Sequence, residues 1–419
     1  MLKTFMNAWK LPDIRNKILF TLIMLLVYRI GAYVPVPGTN VEFISQQVQN
    51  MQILGFLNLF SGGALSNLTI FALGIVPYVN ASIIMNLLTV AIPSLERMAK
   101  EGDDGRKKIA SITRYLGVLL GLIQAIGIIF GLGPQAVQDA SWFNYLTIIV
   151  CLTSGTALIM WIGERITDKG IGNGISLIIF ISIVSRFPSL VASMFGNVGA
   201  GTMNFWVVIM AALAALGIIV GITFVDLGER RIPVQYAKRV VGRKIYGGQS
   251  THIPMKVNQS GVMPLIFAIT IMQFPAMIAQ FFSKSDFYLI YQQYLGNGTP
   301  AYVVVYALLI LFFTYFYSQI AFNPIDVSKN IQQNGGFIPG IRPGKPTSDY
   351  LAKILSRITF FGAVFLAALA AVPTALTSFT GVDAIFGATS LLIMVSVALE
   401  TTRQLEAQLM MRHYKGFLG

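Results

Sequence analysis

The sequence predicts an all-α polytopic membrane protein with ten transmembrane helices, and three observations carry that reading. Of its 419 residues, 55% are hydrophobic and only 11% are charged, a balance outside the range of soluble domains. Ten apolar runs approach or exceed what a hydrocarbon core of about 30 Å demands at about 1.5 Å per helical residue. The connections between them alternate between basic and nearly uncharged, the pattern that fixes orientation in a bilayer.

The runs cover residues 18–34, 69–91, 115–132, 145–163, 174–187, 205–225, 262–282, 302–322, 357–372 and 385–399. Ahead of the first, residues 1–17 set Leu2, Phe5, Met6 and Trp9 at helical spacing beside Lys3 and Lys10. That suits an amphipathic helix in the cytoplasmic headgroups. No cleavage-site pattern of small residues follows the first run, which therefore reads as a retained span. The fifth run is the shortest and opens in GIGNG, Gly170–Gly174, where glycine permits close helix packing or a bent entry.

Twenty-seven of the 30 lysines and arginines lie in the N-terminal segment, the even-numbered connections and the tail 400–419. Only Arg186 and Lys284 lie at the odd-numbered connections, and Arg29 lies inside the first run. Both termini are therefore expected in the cytoplasm, and the net charge of +13 follows largely from topology rather than from a nucleic-acid partner.

Parity makes one stretch anomalous. GFLNLFSGGALSNL, residues 55–68, is apolar, contains three glycines and lies in a region without charge from Phe43 to Leu95. As a helix it reaches about 21 Å, too short to span, and runs one and two already supply the two crossings needed. It must enter from outside and return, shielded from lipid because lipid offers its backbone no hydrogen-bond partner, or lie on the outer surface.

Ten spans divide into two sets of five, residues 18–187 and 188–399, and an odd number per half leaves any duplicated halves inverted. Asp226, Glu229, Glu164 and Glu400 all stand at span ends, so the midplane carboxylate typical of ion-coupled carriers is missing. An inverted-repeat solute transporter remains the alternative function. The two histidines, His252 and His413, lie in polar segments, and the single cysteine, Cys151, lies in an apolar run. A disulfide framework, a metal site built on these residues and intramembrane serine or aspartyl proteolysis are disfavoured, and no enzyme activity or cofactor is expected. GIRPGKPTS, Gly340–Ser348, has only three residues between Gly340 and Gly344, and Pro346 stands where a phosphate loop needs Ser or Thr.

Two basic connections, 226–260 and 323–356, are longer than topology anchors need to be. The first has strand-like stretches around Pro233, Gly247-Gly248 and Pro254; the second is rich in glycine and proline and exposes Arg342 and Lys345. Such knobs suit an acidic protein surface or an RNA backbone.

The blocks FSGGALSNLTIFALGIVPYVNASIIMNLL, KEGDDGRKKIASITRY, GERITDKGIGNGISLIIF, QSTHIPMKVNQSGVMPLIFA and NPIDVSKNIQQNGGFIPGIRPG resemble the SecY family, central subunits of bacterial protein-conducting channels. The resemblance runs along essentially the whole chain. It implies two inverted five-helix halves around an hourglass pore in the bacterial plasma membrane. It also implies a plug over about residues 56–67: Phe56, Leu57, Asn58, Leu59, Phe60, Ser61, Gly62, Gly63, Ala64, Leu65, Ser66 and Asn67. A waist ring is carried over to Ile75, Val79, Ile175, Ile179, Ile266 and Ile393, with Val79 smaller than the isoleucine expected there. Arg239, Arg243 and Arg342 match positions where the SecA motor and the ribosome dock, and SecE and SecG are the implied membrane partners. Signal-bearing preproteins would be the cargo. Asn80, Asn86, Gln124 and Gln273, polar within spans, are candidates for a lateral gate to lipid, with ordinary interhelical hydrogen bonding the equal alternative.

Overall fold

The computed structural model describes residues 8–50, 58, 60–139, 141–201, 204–236, 239–241, 244–246, 250–259, 261–281, 291, 293–296, 299–380 and 388–415. The chain packs into two compact units, one of Met1–Phe205, Gln273–Tyr291 and Val397–Gly419, the other of Trp206–Met272 and Gln292–Ser396.

In the first unit, α1 (Pro12–Gly31) opens with Pro12 and Asp13 and closes with Arg29, each matched to its end of the helix dipole. Helix α2 (Val41–Asn50) lies in the first connection; with Ile44 and Val48 as its buried residues, it is too polar to register as an apolar run. The second run begins as turns, and α3 (Val76–Ala91) starts only after Gly74, at φ +59°, with Pro77 in its first turn. Pro93 then ends it, and α4 (Pro93–Lys100) leaves at 100°. On α4 the exposed Glu96 accepts from Lys100 at 2.6 Å, which holds its carboxyl below the usual range.

Helix α5 (Asp103–Leu132) buries Gly105, Thr113, Gly117, Gly121, Ala125 and Ile129; Thr113, Gly117, Gly121 and Ala125 are small residues four apart that admit a neighbouring helix closely. That neighbour is α6 (Trp142–Lys169): a Cβ on Gly121 would meet Thr156, and one on Gly117 would meet Met160. The GIGNG turn follows. A Cβ on Gly174 would strike the carbonyl of Gly163, and one on Gly170 the Thr21 hydroxyl, so this motif packs helices closely. Helix α7 (Gly174–Gly199) runs through Pro188 well past residue 187, where the fifth run was expected to end. A proline inside a membrane helix is tolerated when neighbours satisfy the freed carbonyl.

The second unit begins at Trp206 in α8 (Phe205–Leu227), apolar on all sides with only Val208, Ile222 and Val225 buried, as a lipid-facing helix should be. Strands β1 (Glu229–Tyr236), β2 (Arg239–Val241), β3 (Lys244–Tyr246) and β4 (Ser250–Lys256) follow. The strand signals at Pro233 and Pro254 are thus met, in two antiparallel pairings, β1 with β4 and β2 with β3; Gly247-Gly248 lies outside the described residues. Helices α9 (Met263–Phe281), α10 (Pro300–Ala321) and α11 (Pro324–Gln333) lead to β5 (Gly336–Phe337). The glycine- and proline-rich connection holds α11 because Asn323 caps it, Oδ1 accepting from Ile325 N at 3.0 Å, with Pro324 suited to the first turn. Helix α12 (Lys345–Thr380) is more than twice the length of the run 357–372, and α13 (Ala388–Lys415) carries the tail onward as helix.

The two basic connections, read separately in the sequence, form one body. Strand β5 pairs with β1, Gln235 opposite Phe337 and Tyr236 opposite Gly336. Beneath them Ile232, Val234, Met255, Phe322, Ile331, Ile338, Leu351 and Leu355 share a buried core. In the first unit the N-terminal Ala8, Ile14 and Ile18 pack with Ile171 and with Leu405 of α13, and Lys17 donates to Gln408. Of the amphipathic N-terminal helix expected, residues 1–7 lie outside the described residues.

Each of the ten apolar runs overlaps a helix in its described part, although the second is helical only from Val76. Among the described residues six helices, α5, α6, α7, α8, the one beginning at Pro300 and α12, are each long and apolar enough to cross a membrane, seven if bent α3–α4 counts as one. Helix α1 misses that measure through Arg15, Lys17 and Arg29, and α9 through the shortness of its described apolar part, Met263–Met272. The count of ten is therefore the sequence's own.

Candidate functional site

From Ser61 onward the anomalous stretch is neither a span nor a surface helix. Of the twelve plug positions, Phe56, Leu57 and Leu59 lie outside the described residues. From Ser61 to Ile75 the chain is a succession of tight turns, closed by Gly63 N to Asn58 O (2.9 Å), Leu68 N to Leu65 O (3.0 Å) and Thr69 N to Ala64 O (3.0 Å). Gly62 and Gly63 sit at φ +66° and +92°, conformations that cost L side chains about 1–2 kcal/mol. Asn58 staples the two ends: its Oδ1 accepts from Ser66 N at 3.1 Å and its Nδ2 donates to Ser66 Oγ.

The apolar side of these turns is buried in protein. Leu65 and Leu68 are 0% exposed in a core that includes Val36, Ile44, Val48, Ile129, Ile148 and Leu152. Val36 N donates to Leu68 O and Ile70 N to Val34 O, both at 3.0 Å, and this pairing holds Leu68 at φ +36°, strain that surrounding contacts must over-determine. A Cβ on Gly155 of α6 would strike the carbonyl of Ile70, so the helix backs directly onto the end of the segment. Burying a leucine contributes about 1.5–3 kcal/mol against about 0.5–1.5 for a neutral hydrogen bond. Apolar burial therefore dominates the placement of these turns, and polar contacts fix their geometry.

Those polar contacts come from α1 and α7. The buried Tyr28 hydroxyl lies 2.7 Å from Ser182 Oγ, whose own hydroxyl donates to Ile178 O at 2.8 Å. With that proton committed, Tyr28 is the donor to Ser182, and its approach to Ser61 O is longer, 3.5 Å. Next along α1, Arg29 donates to Gly62 O at 3.3 Å and to Tyr33 Oη at 3.2 Å, with its guanidinium 5.2 Å from the Tyr33 ring centroid. Tyr28 also stacks on Phe71 at 5.6 Å. Sequence reasoning missed Tyr28 and Ser182, which no local spacing links to the plug. Arg29, a charge inside a span, was the one available signal.

The ring positions divide between the units. Ile75 caps α3, accepting at its carbonyl from Val79 N at 3.1 Å, so the two side chains lie one turn apart. Ile175 and Ile179 stand likewise on α7, whose first turn is fixed by Asn173 Oδ1 accepting from Ile175 N and Ser176 N. Ile75, Ile179 and Ile393 are buried and Val79, Ile175 and Ile266 half-buried, the last on α9 and Ile393 on α13.

Of the residues expected to dock a partner, Arg342 is exposed on a loop held by Thr347 Oγ1 donating to its carbonyl (2.8 Å) and Ser328 Oγ donating to Gly344 O (2.7 Å). Arg239 pairs opposite Tyr246 in the β2–β3 register, and Arg243 lies outside the described residues. Among the gate candidates, Asn80 is buried on α3, Gln124 is half-buried on α5 and Asn86 is exposed; Gln273 falls within α9.

The family model for SecY matches residues 69–402. Protein translocase subunit SecY of Streptomyces galbus is 47% identical, and that of Halalkalibacterium halodurans 46%, each aligned over 100% of both chains. Among solved structures, a protein-conducting channel matches with a TM-score of 0.68 at 18% identity over 96% of both chains. Sec61 of a canine ribosome-channel complex from the endoplasmic reticulum matches at 0.64 and 17%, again over 96% of both. At such identity over its full length the chain belongs to the SecY family of protein translocase subunits.

Proposed function

We propose that this chain forms the passive channel through which unfolded secretory polypeptides cross a bacterial plasma membrane and apolar segments pass sideways into lipid. Its termini lie in the cytoplasm. The observation that carries the reading is the plug stretch itself, too short to span, buried in protein and tied to α1 and α7 through one buried hydroxyl and one guanidinium. A related SecY structure is described as one in which the plug domain stabilises the closed state of the translocation channel.

The chemistry favours a wet path. A peptide crossing lipid would strand backbone groups at several kcal/mol each and charged side chains at about 2.5–3.5 kcal/mol each. Ile75, Val79, Ile175, Ile179, Ile266 and Ile393 form the waist in this reading: aliphatic groups offer a passing chain no hydrogen bond and dewet when empty. Asn80, Asn86, Gln124 and Gln273 contribute to the lateral gate. SecE and SecG accompany the chain in the membrane, and SecA or the ribosome docks on the joined basic body through Arg239, Arg243 and Arg342.

The test is reconstitution with SecE in vesicles, adding SecA, ATP and a signal-bearing preprotein and measuring protection of the preprotein from protease. Protection should require ATP and disappear in Arg342→Glu, whose folding and membrane insertion should be intact. Failure of the wild type beside a working control channel would defeat the channel reading; unimpaired export by Arg342→Glu would defeat the docking assignment.

A further inference from the structure

The base of the β1–β4 hairpin is tied to α13. Val257 N donates to Gly228 O at 2.9 Å where the hairpin closes, and one residue on, Asn258 Nδ2 donates to Asp226 Oδ1 at 2.8 Å. The other carboxylate oxygen accepts from Ser396 Oγ at 2.5 Å. One carboxylate at the end of α8 thus holds two elements far apart in sequence. Ser396 follows Ile393 by three residues, on the same side of α13.

The residue types suit this task. An ionised carboxylate only accepts, so both oxygens can be gripped at once, and such charge-assisted bonds are roughly twice as strong as neutral ones. Asn258 is buried, and its Oδ1 has no hydrogen-bond partner among the described residues. Its amide is oriented by Asp226 even at the cost of an unsatisfied acceptor. Helix α12 confines the same point, since a Cβ on Gly362 would stand 2.6 Å from Val257 O.

We infer that Asp226 is a positioning residue for transport, coupling movement of the docking hairpin to α13 and so to the ring residue Ile393. The inference rests on the channel reading and adds to it the path by which a partner's push on the basic body reaches the waist. A partner that displaces β1 and β4 moves Asn258; Asp226 carries that movement to Ser396.

The test uses the full complex in vesicles with SecA, comparing Ser396→Ala, Asp226→Asn and Ser396→Thr for SecA affinity, preprotein protection and melting temperature. In Ser396→Ala and Asp226→Asn, protection should fall about tenfold at unchanged SecA affinity, the scale of one lost charge-assisted hydrogen bond. Ser396→Thr, which keeps the hydroxyl, should restore it. Unchanged protection in the variants beside a transporting wild type overturns the inference alone, and a wild type that does not transport overturns the channel reading and the inference with it. A loss that tracks a lower melting temperature or weaker SecA binding, and that Ser396→Thr does not rescue, makes Asp226 a structural brace and also overturns the inference.

Discussion

Arg29 donates to the carbonyl oxygen of Gly62 at 3.3 Å, so the one basic residue inside the first apolar run grips the tip of the stretch proposed as the plug. A hydrogen bond from a charged group contributes about 1.5–3 kcal/mol, or about 10- to 100-fold in the closed-to-open ratio. Arg29→Gln should make closed channels in vesicles leak small ions by a factor on that scale, with melting in detergent little changed. A leak equal to wild type would remove Arg29 from the latch.

Gly62→Ala and Gly63→Ala separate conformation from contact. Both glycines have positive φ, but a Cβ at Gly62 would stand 2.9 Å from Arg29 Nη1 and 3.0 Å from Ser182 Cα, whereas at Gly63 nothing lies within 4 Å. Gly63→Ala should cost only the left-handed penalty of about 1–2 kcal/mol, and Gly62→Ala should leak distinctly more. Equal leaks would mean that the tip is not seated against α1 and α7.

Removing either partner of the Tyr28–Ser182 bond should have unequal consequences. Ser182→Ala leaves the buried Tyr28 hydroxyl only its long 3.5 Å approach to Ser61 O, at up to about 1–3 kcal/mol. Tyr28→Phe leaves Ser182 donating to Ile178 O and should cost nearer 0.5–1.5 kcal/mol. Chemical denaturation in detergent should rank them in that order, with the double variant less destabilised than the sum of the two. Strict additivity would contradict the bond.

Gly336→Val should part the two basic connections, because a Cβ at this position meets the Tyr236 ring at 2.8 Å and Ile331 Cγ2 at 3.0 Å. Motor-driven protection of a preprotein should fall while ion leak stays at the wild-type level, since the proposed plug and its contacts with Tyr28 and Arg29 lie on other elements. Normal transport with β5 displaced would show that the connections work independently.

Hydropathy made the helices legible, because long apolar runs need no partner to be recognised. Their ends were less so: α12 begins at Lys345, not near residue 357, since its first turns are polar and only their contacts with α11 and β1 reveal them as packed. The ten-residue α2 escaped because two buried residues, Ile44 and Val48, make no apolar run. At the site, the shortness and glycines of the plug stretch marked it as unusual, and Arg29 stood out as a charge in a span. Its contacts did not, because Tyr28, Gly62 and Ser182 come from three distant stretches and meet only in the fold. The same holds for β1 and β5, whose pairing across about a hundred residues has no local signature.

The core shared by Ile14, Ile18, Ile171 and Leu405 bears on how the molecule is made. Synthesis proceeds from the N-terminus, and early segments ordinarily fold first, yet here the lower end of α1 waits for a residue nearly four hundred positions later. Until α13 emerges, Ile14 and Ile18 have no Leu405 to cover them and Lys17 has no Gln408. A nascent chain halted before α13 holds a first unit without Leu405 and Gln408, and release of the last described helix completes the packing of the earliest one.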